Sequence, residues 1–206
     1  MINITNEDNM DLMSRYKDNH FDLAIVDPPY GIERLKKKGR FTGNGLSWDI
    51  KPKKEYFKEL FRVSKNQIVW GYNHLSELLP CCTAFIFWDK DVSVDNYSAG
   101  ELAYSSFKGV SKKVKIVWDG FRQEDMKNKE TRIHPTQKPL KLYEWLLMNY
   151  ANEGNKILDT HLGSGSLAIA CHNLKYDLTA CEIDKEYYES TMKRFNNHTS
   201  QKQLWT

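Results

Sequence analysis

The stretch FDLAIVDPPY, residues 21–30, predicts a buried β-strand that runs directly into a rigid polar turn. Six mostly apolar residues precede Asp27, and such a run is typical of a strand that is covered on both faces. Pro28 and Pro29 each fix φ at about −65° and restrict the residue before them, so the turn presents its groups in set directions. In open α/β sheets, ligands bind at the carboxyl ends of the strands. The turn is therefore the first candidate for a functional site.

The rest of the chain repeats this pattern, with short apolar runs separated by helical patterns. Such alternation predicts an α/β fold with a doubly wound, mainly parallel, seven-stranded sheet. The predicted strands are Ile2–Thr5, Phe21–Val26, Gln67–Trp70, Ala84–Trp88, Lys115–Trp118, Ile157–Asp159 and Leu178–Cys181. The predicted helices are Asn9–Lys17, Lys54–Val63, Leu140–Tyr150, Ser166–Leu174 and Lys185–Asn196. Residues 31–53 and 119–137 lack a clear period and are predicted to be loops.

Length and composition limit the class of protein. The 206 residues can bury one substantial core, so we expect residues 1–206 to form a single domain. The four cysteines lack CxxC spacing, so neither a zinc site nor a disulfide framework is indicated, and no metal is expected. No apolar run approaches the ~20 residues of a membrane span and no signal peptide is evident, so a soluble, cytoplasmic protein is expected.

The net charge of +3 is distributed unevenly along the chain. Residues 31–65 hold 11 Lys and Arg against 4 Asp and Glu, and residues 108–141 hold 10 against 4. Both segments have aromatic side chains among the cations, a mixture suited to phosphate contacts and base stacking. Solvated helix faces are the alternative explanation of such charge runs. We expect basic loops that contact nucleic acid at about residues 31–53 and 105–133.

The turn at residues 27–30 offers a specific set of groups. The Asp27 carboxylate and the Pro28 carbonyl are two acceptors, and Tyr30 adds a flat ring. Two acceptors beside a stacking face suit a planar heterocycle that carries an NH2 group. The alternative is a structural turn with a capping Asp and a packing Tyr.

A second chemical motif is the stretch ILDTHLGSGS, residues 157–166, in which a predicted strand enters a glycine-rich turn that opens a helix. Glycines there permit close approach of the backbone to a ligand. Glu182 ends the next predicted strand, where an acid can accept hydrogen bonds from ribose hydroxyls. These features predict nucleoside binding. The spacing of Gly163, Gly165 and Ala168 also matches a dinucleotide fingerprint, so an NAD site stays open.

A third polar motif, HPTQKP at residues 134–139, precedes the predicted helix Leu140–Tyr150. Its polar side chains are expected at the same edge of the sheet. By composition alone it would be only a turn that starts a helix.

Together these motifs resemble the amino-group DNA methyltransferases that use S-adenosylmethionine, in the permuted arrangement called the β class, and in particular the small adenine methylases of phages and prophages. DPPY comes first, HPTQKP follows late, and the D-x-x-x-G-S-G loop comes after it, which is the order that defines this class. The resemblance covers almost the whole chain and implies a Rossmann-like methyltransferase sheet with permuted motif order.

The resemblance implies roles for the residues that match its motifs. The catalytic residues would be Asp27, Pro28, Pro29 and Tyr30, which would receive a flipped-out base. The cofactor-binding residues would be Asp8, Asp27, Thr136, Lys138, Asp159, His161, Gly163, Ser164, Gly165 and Glu182. Among them, Glu182 would hold the ribose, Asp8 the adenine and Lys138 the methionine carboxylate. The family commonly has Pro-Phe where this chain has Thr160-His161, so weaker cofactor binding is expected.

The implied partner is double-stranded DNA, with no membrane and no metal, and a homodimer is left open. The expected DNA contacts are Arg34, Lys36, Lys37, Lys38, Arg40, Trp48, Lys112, Lys113 and Arg132. Asp at the head of DPPY favours transfer to the N6 amino group of adenine. Three alternatives remain: an N4-cytosine DNA methyltransferase, an NAD-dependent oxidoreductase and a catalytically impaired nucleic-acid-binding relative.

Overall fold

The computed structural model describes residues 1–32, 49–92, 98–119 and 122–202, which form an eight-stranded sheet with helices on both faces. The strands are β1 Ile2–Asn6, β2 Phe21–Val26, β3 Ser64–Trp70, β4 Ile86–Asp89, β5 Gly100–Ser105, β6 Lys112–Lys115, β7 Lys156–Asp159 and β8 Asp177–Glu182. The helices are α1 Asn9–Ser14, α2 Lys54–Val63, α3 Tyr72–Leu75, α4 Leu140–Tyr150, α5 Ser166–Leu174 and α6 Lys185–Lys202.

The order of the strands across the sheet is β1-β8-β7-β2-β3-β5-β4-β6. Seven of them run in one direction, while β5 is antiparallel to its neighbours β3 and β4. The carboxyl ends of the seven parallel strands therefore share one edge. Because β5 is reversed, its first residues, Gly100 and Glu101, lie at that same edge, opposite Asp89 and Trp88.

Side chains of the central strands alternate between two cores, as expected for strands covered on both faces. Leu23 and Ile25 of β2 pack in one core with α4 and α5, whereas Ala24 and Val26 pack in the other with α1 and α2. All four side chains are at most 1% exposed. This two-sided burial explains why β2 reads as an almost continuous apolar run.

The predicted doubly wound, mainly parallel α/β fold is confirmed, and two strand predictions are corrected. The sheet has eight strands and not the expected seven, because the sequence pattern does not reveal β5. The first three residues of β5 are only half-buried, and Gly100 and Glu101 give them no apolar pattern. The predicted strand Lys115–Trp118 begins where β6 ends. Ile116 and Trp118 are buried, but they lie beyond Lys115, the last residue of β6 that pairs with β4. Their apolar pattern reflects burial and not strand pairing.

Three predicted helices, α2, α4 and α5, match the structure residue for residue. Helix α1 ends at Ser14 instead of Lys17, and the chain then turns through Asn19, whose φ is +55°. Helix α6 continues to Lys202, six residues beyond the predicted Asn196. Among the described residues, none of the helices has the length and apolar character needed to cross a membrane.

Candidate active site

A cavity of about 1000 Å³ opens at the carboxyl edge of the sheet. The turns after β1, β2, β7 and β8 and the segment before α4 form its walls. The sequence-predicted residues that line it are Asp8, Asp27, Pro28, Pro29, Tyr30, Arg132, Thr136, Lys138, His161, Gly163, Ser164 and Glu182. Asp159 and Gly165 do not line the cavity and lie behind its wall. The sheet edge therefore brings together residues that are far apart in the sequence.

Asp27 follows β2 and has both carboxylate oxygens engaged. Oδ1 accepts a 2.6 Å hydrogen bond from the Tyr30 hydroxyl, and Oδ2 pairs with the ammonium of Lys138. Only 3% of the Lys138 side chain is exposed. Burial by itself would lower the pKa of Lys138, but Asp27 and Glu101 outweigh burial and raise it, so the ammonium stays charged at neutral pH. A carboxylate oxygen can accept two hydrogen bonds, so each Asp27 oxygen keeps one acceptor site that Tyr30 and Lys138 do not occupy.

The Tyr30 ring is held by two residues that sequence reasoning missed. It stacks on His74, with ring centroids 5.1 Å apart and planes inclined by 19°. Gly71 has φ +78°, and a Cβ at that position would lie 2.1 Å from Tyr30 Cε1. Only glycine therefore leaves room for the ring. The one sequence signal was a glycine placed directly after the apolar end of β3.

The glycine-rich turn after β7 combines ligand access with packing. Gly163 has φ +53° and donates its N–H to Glu182 Oε2 at 2.8 Å. Gly165 has φ +74° and is the N-cap residue before α5; a Cβ there would lie 2.5 Å from Cγ2 of Thr191 on α6. Gly163 thus faces the cavity, while Gly165 allows the close approach of α6.

Asp159 lies beneath this turn, where its Oδ1 accepts a 3.0 Å hydrogen bond from the His161 N–H. The pKa of Asp159 is raised to about 8, chiefly by burial. The hydrogen bond from His161 lowers this pKa, while the nearby carboxylates of Asp27 and Glu182 contribute to raising it. Its carboxyl group is therefore largely protonated at neutral pH. It supports the turn from behind the wall of the cavity.

Two acidic groups stand at the ends of the neighbouring strands β1 and β8. Glu182 accepts the N–H groups of Gly163 and Asp184, and burial raises its pKa. Asp8 caps α1 by accepting the Met10 N–H at 2.7 Å. Because Asn6 and Glu182 are paired in the sheet, the two acids are neighbours on the cavity wall.

His161 belongs to a polar network that also contains the buried Tyr56 of α2. The Asn9 amide and His161 Nε2 are 3.1 Å apart, and His161 Nδ1 lies 3.0 Å from the Thr160 hydroxyl. That hydroxyl lies 2.7 Å from the Tyr56 hydroxyl. Burial lowers the pKa of His161 to about 3, so the ring is neutral. Sequence reasoning missed Tyr56 and Asn9, whose partners come from distant strand ends.

The HPTQKP segment is fixed by its own side chains and by α5. His134 Nδ1 accepts the Thr136 N–H and lies 3.0 Å from the Thr136 hydroxyl. Burial lowers the pKa of His134 to about 3, which keeps Nδ1 available as an acceptor. The Ser166 hydroxyl donates to the Lys138 carbonyl at 2.9 Å. These contacts hold the backbone from which Lys138 reaches Asp27.

The expected DNA contacts are only partly brought to this edge. Arg132 lines the cavity and donates to the Pro135 carbonyl at 2.7 Å. Lys112 starts β6 at the opposite edge of the sheet and lies over the Tyr150 ring, so it is far from the cavity. Lys113 pairs with Asp89 at 2.7 Å. The remaining six, Arg34, Lys36, Lys37, Lys38, Arg40 and Trp48, lie outside the described residues.

The donor set fits S-adenosylmethionine. The cavity is lined by two acids, Asp8 and Glu182, that can accept hydrogen bonds from hydroxyl and amino groups, by a glycine of the turn after β7, and by the buried cation of Lys138. Within the described ranges, His, Cys, Asp and Glu form no group of three or more that is suited to a metal ion.

The fold and this site define a nucleoside-cofactor transferase of the Rossmann-like methyltransferase type. The N6/N4 amino-methyltransferase family, described as "DNA methylase", matches residues 34–193. The type II methyltransferase M.HpaI of Haemophilus parainfluenzae is 38% identical over 227 residues, which cover 90% of this chain and 71% of M.HpaI.

Solved structures show the same fold. The structure of an M1.HpyAVI–SAM complex has a TM-score of 0.60 at 23% identity and covers 94% of this chain and 100% of that one. The PvuII DNA methyltransferase, described as cytosine-N4-specific, has a TM-score of 0.65 at 13% identity and covers 94% and 86%. The chain belongs to the N6/N4 DNA methylase family. The predicted class, an S-adenosylmethionine-dependent DNA methyltransferase, is confirmed.

Proposed function

We propose that this protein transfers a methyl group from S-adenosylmethionine to the N6 amino group of an adenine that is flipped out of double-stranded DNA. The observation that carries this proposal is the position of Asp27 and Pro28, which stand on the wall of the cofactor-sized cavity at the carboxyl end of β2. An exocyclic amine on adenine is a poor nucleophile because its lone pair is delocalised into the ring. Two fixed acceptors beside it remove that obstacle.

Asp27 and the Pro28 carbonyl each accept one N–H of the target amine. This draws the nitrogen toward tetrahedral geometry and localises its lone pair. When bound, S-adenosylmethionine would supply the electrophilic sulfonium methyl group, whose S–C bond breaks as the N–C bond forms, with S-adenosylhomocysteine as the leaving group. Because Asp27 holds one of the N–H groups, its carboxylate also stands where the proton leaves the methylated amine. Orientation and electrostatics then account for most of the rate enhancement.

The cofactor contacts are proposed from the positions of the same residues. Glu182 and Asp8 offer acceptors to the ribose and the adenine, and Gly163 lets the ligand approach the backbone. Lys138 and Thr136 face the methionine end. His161 stands where the family commonly has Phe. Its ring is neutral and its two nitrogens are engaged by Asn9 and Thr160, so the ring can still pack flat against the ligand.

Tyr30 is proposed to stack on the flipped base with the ring face that His74 does not cover. Its hydroxyl is fixed on Asp27, and burial followed by the charge of Asp27 raises the pKa of Tyr30 well above its ordinary value. The ring therefore stays a neutral donor. Flipping the base costs a few kcal/mol, which stacking and the amine hydrogen bonds offset.

We further propose that residues 1–206 act as one methyltransferase domain in which residues 31–53, and within residues 105–133 the part around Arg132, contact DNA. Arg132 supports this assignment because it lines the cavity, and burial lowers its pKa without the opposing effect of an acid. A cytoplasmic location belongs to the same proposal.

N4-cytosine transfer is the second candidate, because the PvuII enzyme, described as cytosine-N4-specific, shares the fold. Asp at position 27 favours adenine. The test is to incubate the protein with methyl-labelled S-adenosylmethionine and unmethylated double-stranded DNA, and to digest the product to nucleosides. Label on N6-methyl-2′-deoxyadenosine supports the proposal, and label on N4-methyl-2′-deoxycytidine selects the second candidate. DNA binding without label from a folded, cofactor-binding protein would show a catalytically impaired relative.

A further inference from the structure

A row of alternating charges crosses the wall of the cavity next to Asp27. Lys90 pairs with Glu101 Oε1, the Lys138 ammonium lies 3.1 Å from Glu101 Oε2, and the same ammonium pairs with Asp27. The four formal charges sum to zero. Sequence reasoning assigned no role to Lys90 or Glu101.

The topology of the sheet brings these four residues to one place. Asp27 and Lys90 directly follow the parallel strands β2 and β4, while Glu101 stands near the start of the reversed strand β5. Lys138 comes from the segment before α4. Each of them is therefore held by a different element, and each lines the cavity.

Two buried tryptophans form a floor under the cations. Lys138 Nζ lies 5.4 Å from the ring centroid of Trp70, and Lys90 Nζ lies 4.7 Å from that of Trp88. Both rings are at most 1% exposed. An ammonium above an aromatic face is attracted to it, which restricts both cations to this layer. The two rings therefore help to hold the ammonium groups beside their carboxylate partners.

The charges of this row depend on each other. Burial would raise the pKa of Glu101, but Lys138 and Lys90 together lower it to about 2. Burying a charged group is unfavourable unless a counter-charge accompanies it. Lys138, at 3% exposure, has two such partners in Asp27 and Glu101. Removing Glu101 would leave Asp27 as the carboxylate that neutralises the Lys138 ammonium.

That change would affect the reaction proposed above. A carboxylate oxygen that is fully paired with an ammonium is a weaker acceptor for a third donor, and Asp27 already accepts the Tyr30 hydroxyl on its other oxygen. We propose that Glu101, anchored by Lys90, is a positioning residue that shares the Lys138 ammonium with Asp27 and so keeps an Asp27 oxygen effective for the target amine. This inference rests on the proposed function and adds a residue to it.

The test compares Glu101→Gln with the wild-type chain in three measurements: the single-turnover rate constant of methyl transfer, the Kd for S-adenosylmethionine and the thermal midpoint. We expect the rate constant to fall by about ten- to a hundredfold, the range that one hydrogen bond to a charged group supplies. The cofactor Kd should not rise in proportion to this loss of rate, because Lys138, which is proposed to face the methionine end, keeps its charge in the variant. Glu101→Asp, which keeps the charge, should transfer faster than Glu101→Gln.

Two control variants make the comparison specific. Asp22 forms a 2.7 Å ion pair with Lys65 at the opposite edge of the sheet from the cavity. Asp22→Asn breaks this pair and should leave the rate constant unchanged. If Glu101→Gln does not fold, Lys90→Met/Glu101→Met removes both charges together, a replacement that buried ion pairs often tolerate, and the same loss of rate is expected.

The inference is overturned if the folded Glu101 variant transfers at a rate within about threefold of wild type, or if its cofactor affinity falls in proportion to its rate. It is equally overturned if Glu101→Asp is no faster than Glu101→Gln. Absence of label with the wild-type chain is a different outcome: it rejects the proposed function, and this inference falls with it.

Discussion

Replacing Glu182 with glutamine should weaken S-adenosylmethionine binding while leaving the fold intact. The Glu182 carboxylate accepts the Gly163 N–H at 2.8 Å and the Asp184 N–H at 3.0 Å, one on each oxygen. An ionised carboxylate has about four lone-pair sites, so about two remain for the hydroxyls of a ribose. Glutamine keeps only one acceptor oxygen, and its NH2 group faces a backbone N–H.

The magnitude follows from this count. The variant loses the charge and at least one hydrogen bond to the ligand, and such a bond contributes about 1.5–3 kcal/mol. The Kd for S-adenosylmethionine should therefore rise by about ten- to a hundredfold. Isothermal titration calorimetry measures this change directly. Glu182→Asp serves as the matched variant, because it keeps the charge at a shorter reach and should lose less affinity.

A Kd for Glu182→Gln that equals the wild-type value, in a protein with an unchanged circular dichroism spectrum, would refute the assignment of Glu182 to the cofactor. The same result would leave the acid with only its structural function of holding the Gly163 and Asp184 backbone. Loss of folding instead of affinity would show that this structural function dominates.

Three further outcomes are expected. Asp27→Ala should lower the single-turnover rate of methyl transfer by about a hundred- to a thousandfold while calorimetry shows cofactor binding that is largely intact; near-normal turnover would contradict the mechanism. Gly165→Ala should lower the free energy of unfolding by about 2 kcal/mol or more in urea titrations, because the new methyl group is strained by the positive φ and also clashes with Thr191. Gly154→Ala is the control: its φ is +80° but the space around it is open, so only the backbone strain should appear. Asp159→Asn should raise the thermal midpoint at pH 8 more than at pH 5. The pKa of Asp159 in the folded state, about 8, lies above the ordinary value of 3.8, so the wild-type chain loses stability as the pH rises from 3.8 to 8, whereas the variant does not. Equal shifts of the thermal midpoint at both pH values would count against a buried, protonated Asp159.

The parts of the fold and site that the sequence predicts well are those specified within a few consecutive residues. The run from Phe21 to Tyr30 contains both its strand and its turn, and the helices α2, α4 and α5 carry their own period and their own ends. The glycine-rich turn after β7 is equally local. For such segments the pattern of burial and the positions that require proline or glycine are properties of the segment itself.

Contacts between strand ends are different, because they depend on the order and direction of the strands. His74 contacts Tyr30, and Tyr56 contacts Thr160, only because the sheet brings distant segments together. Lys112 shows the limit of a charge count: its segment is basic enough to suggest DNA binding, but its place at the start of β6 puts it at the opposite edge of the sheet from the cavity. Charge counted along the chain does not report which edge of a sheet a residue occupies.

Strand direction also decides which acid becomes the partner of Lys138. Had the segment Gly100–Ser105 run parallel to β3, Ser105 would stand at the cavity and Glu101 at the opposite edge. The antiparallel pairing of Trp70 with Ala103 and of Trp88 with Glu101 reverses this arrangement and brings a carboxylate to the Lys138 ammonium. The short strand that the sequence pattern misses is thus the element that supplies the second counter-ion beside Asp27.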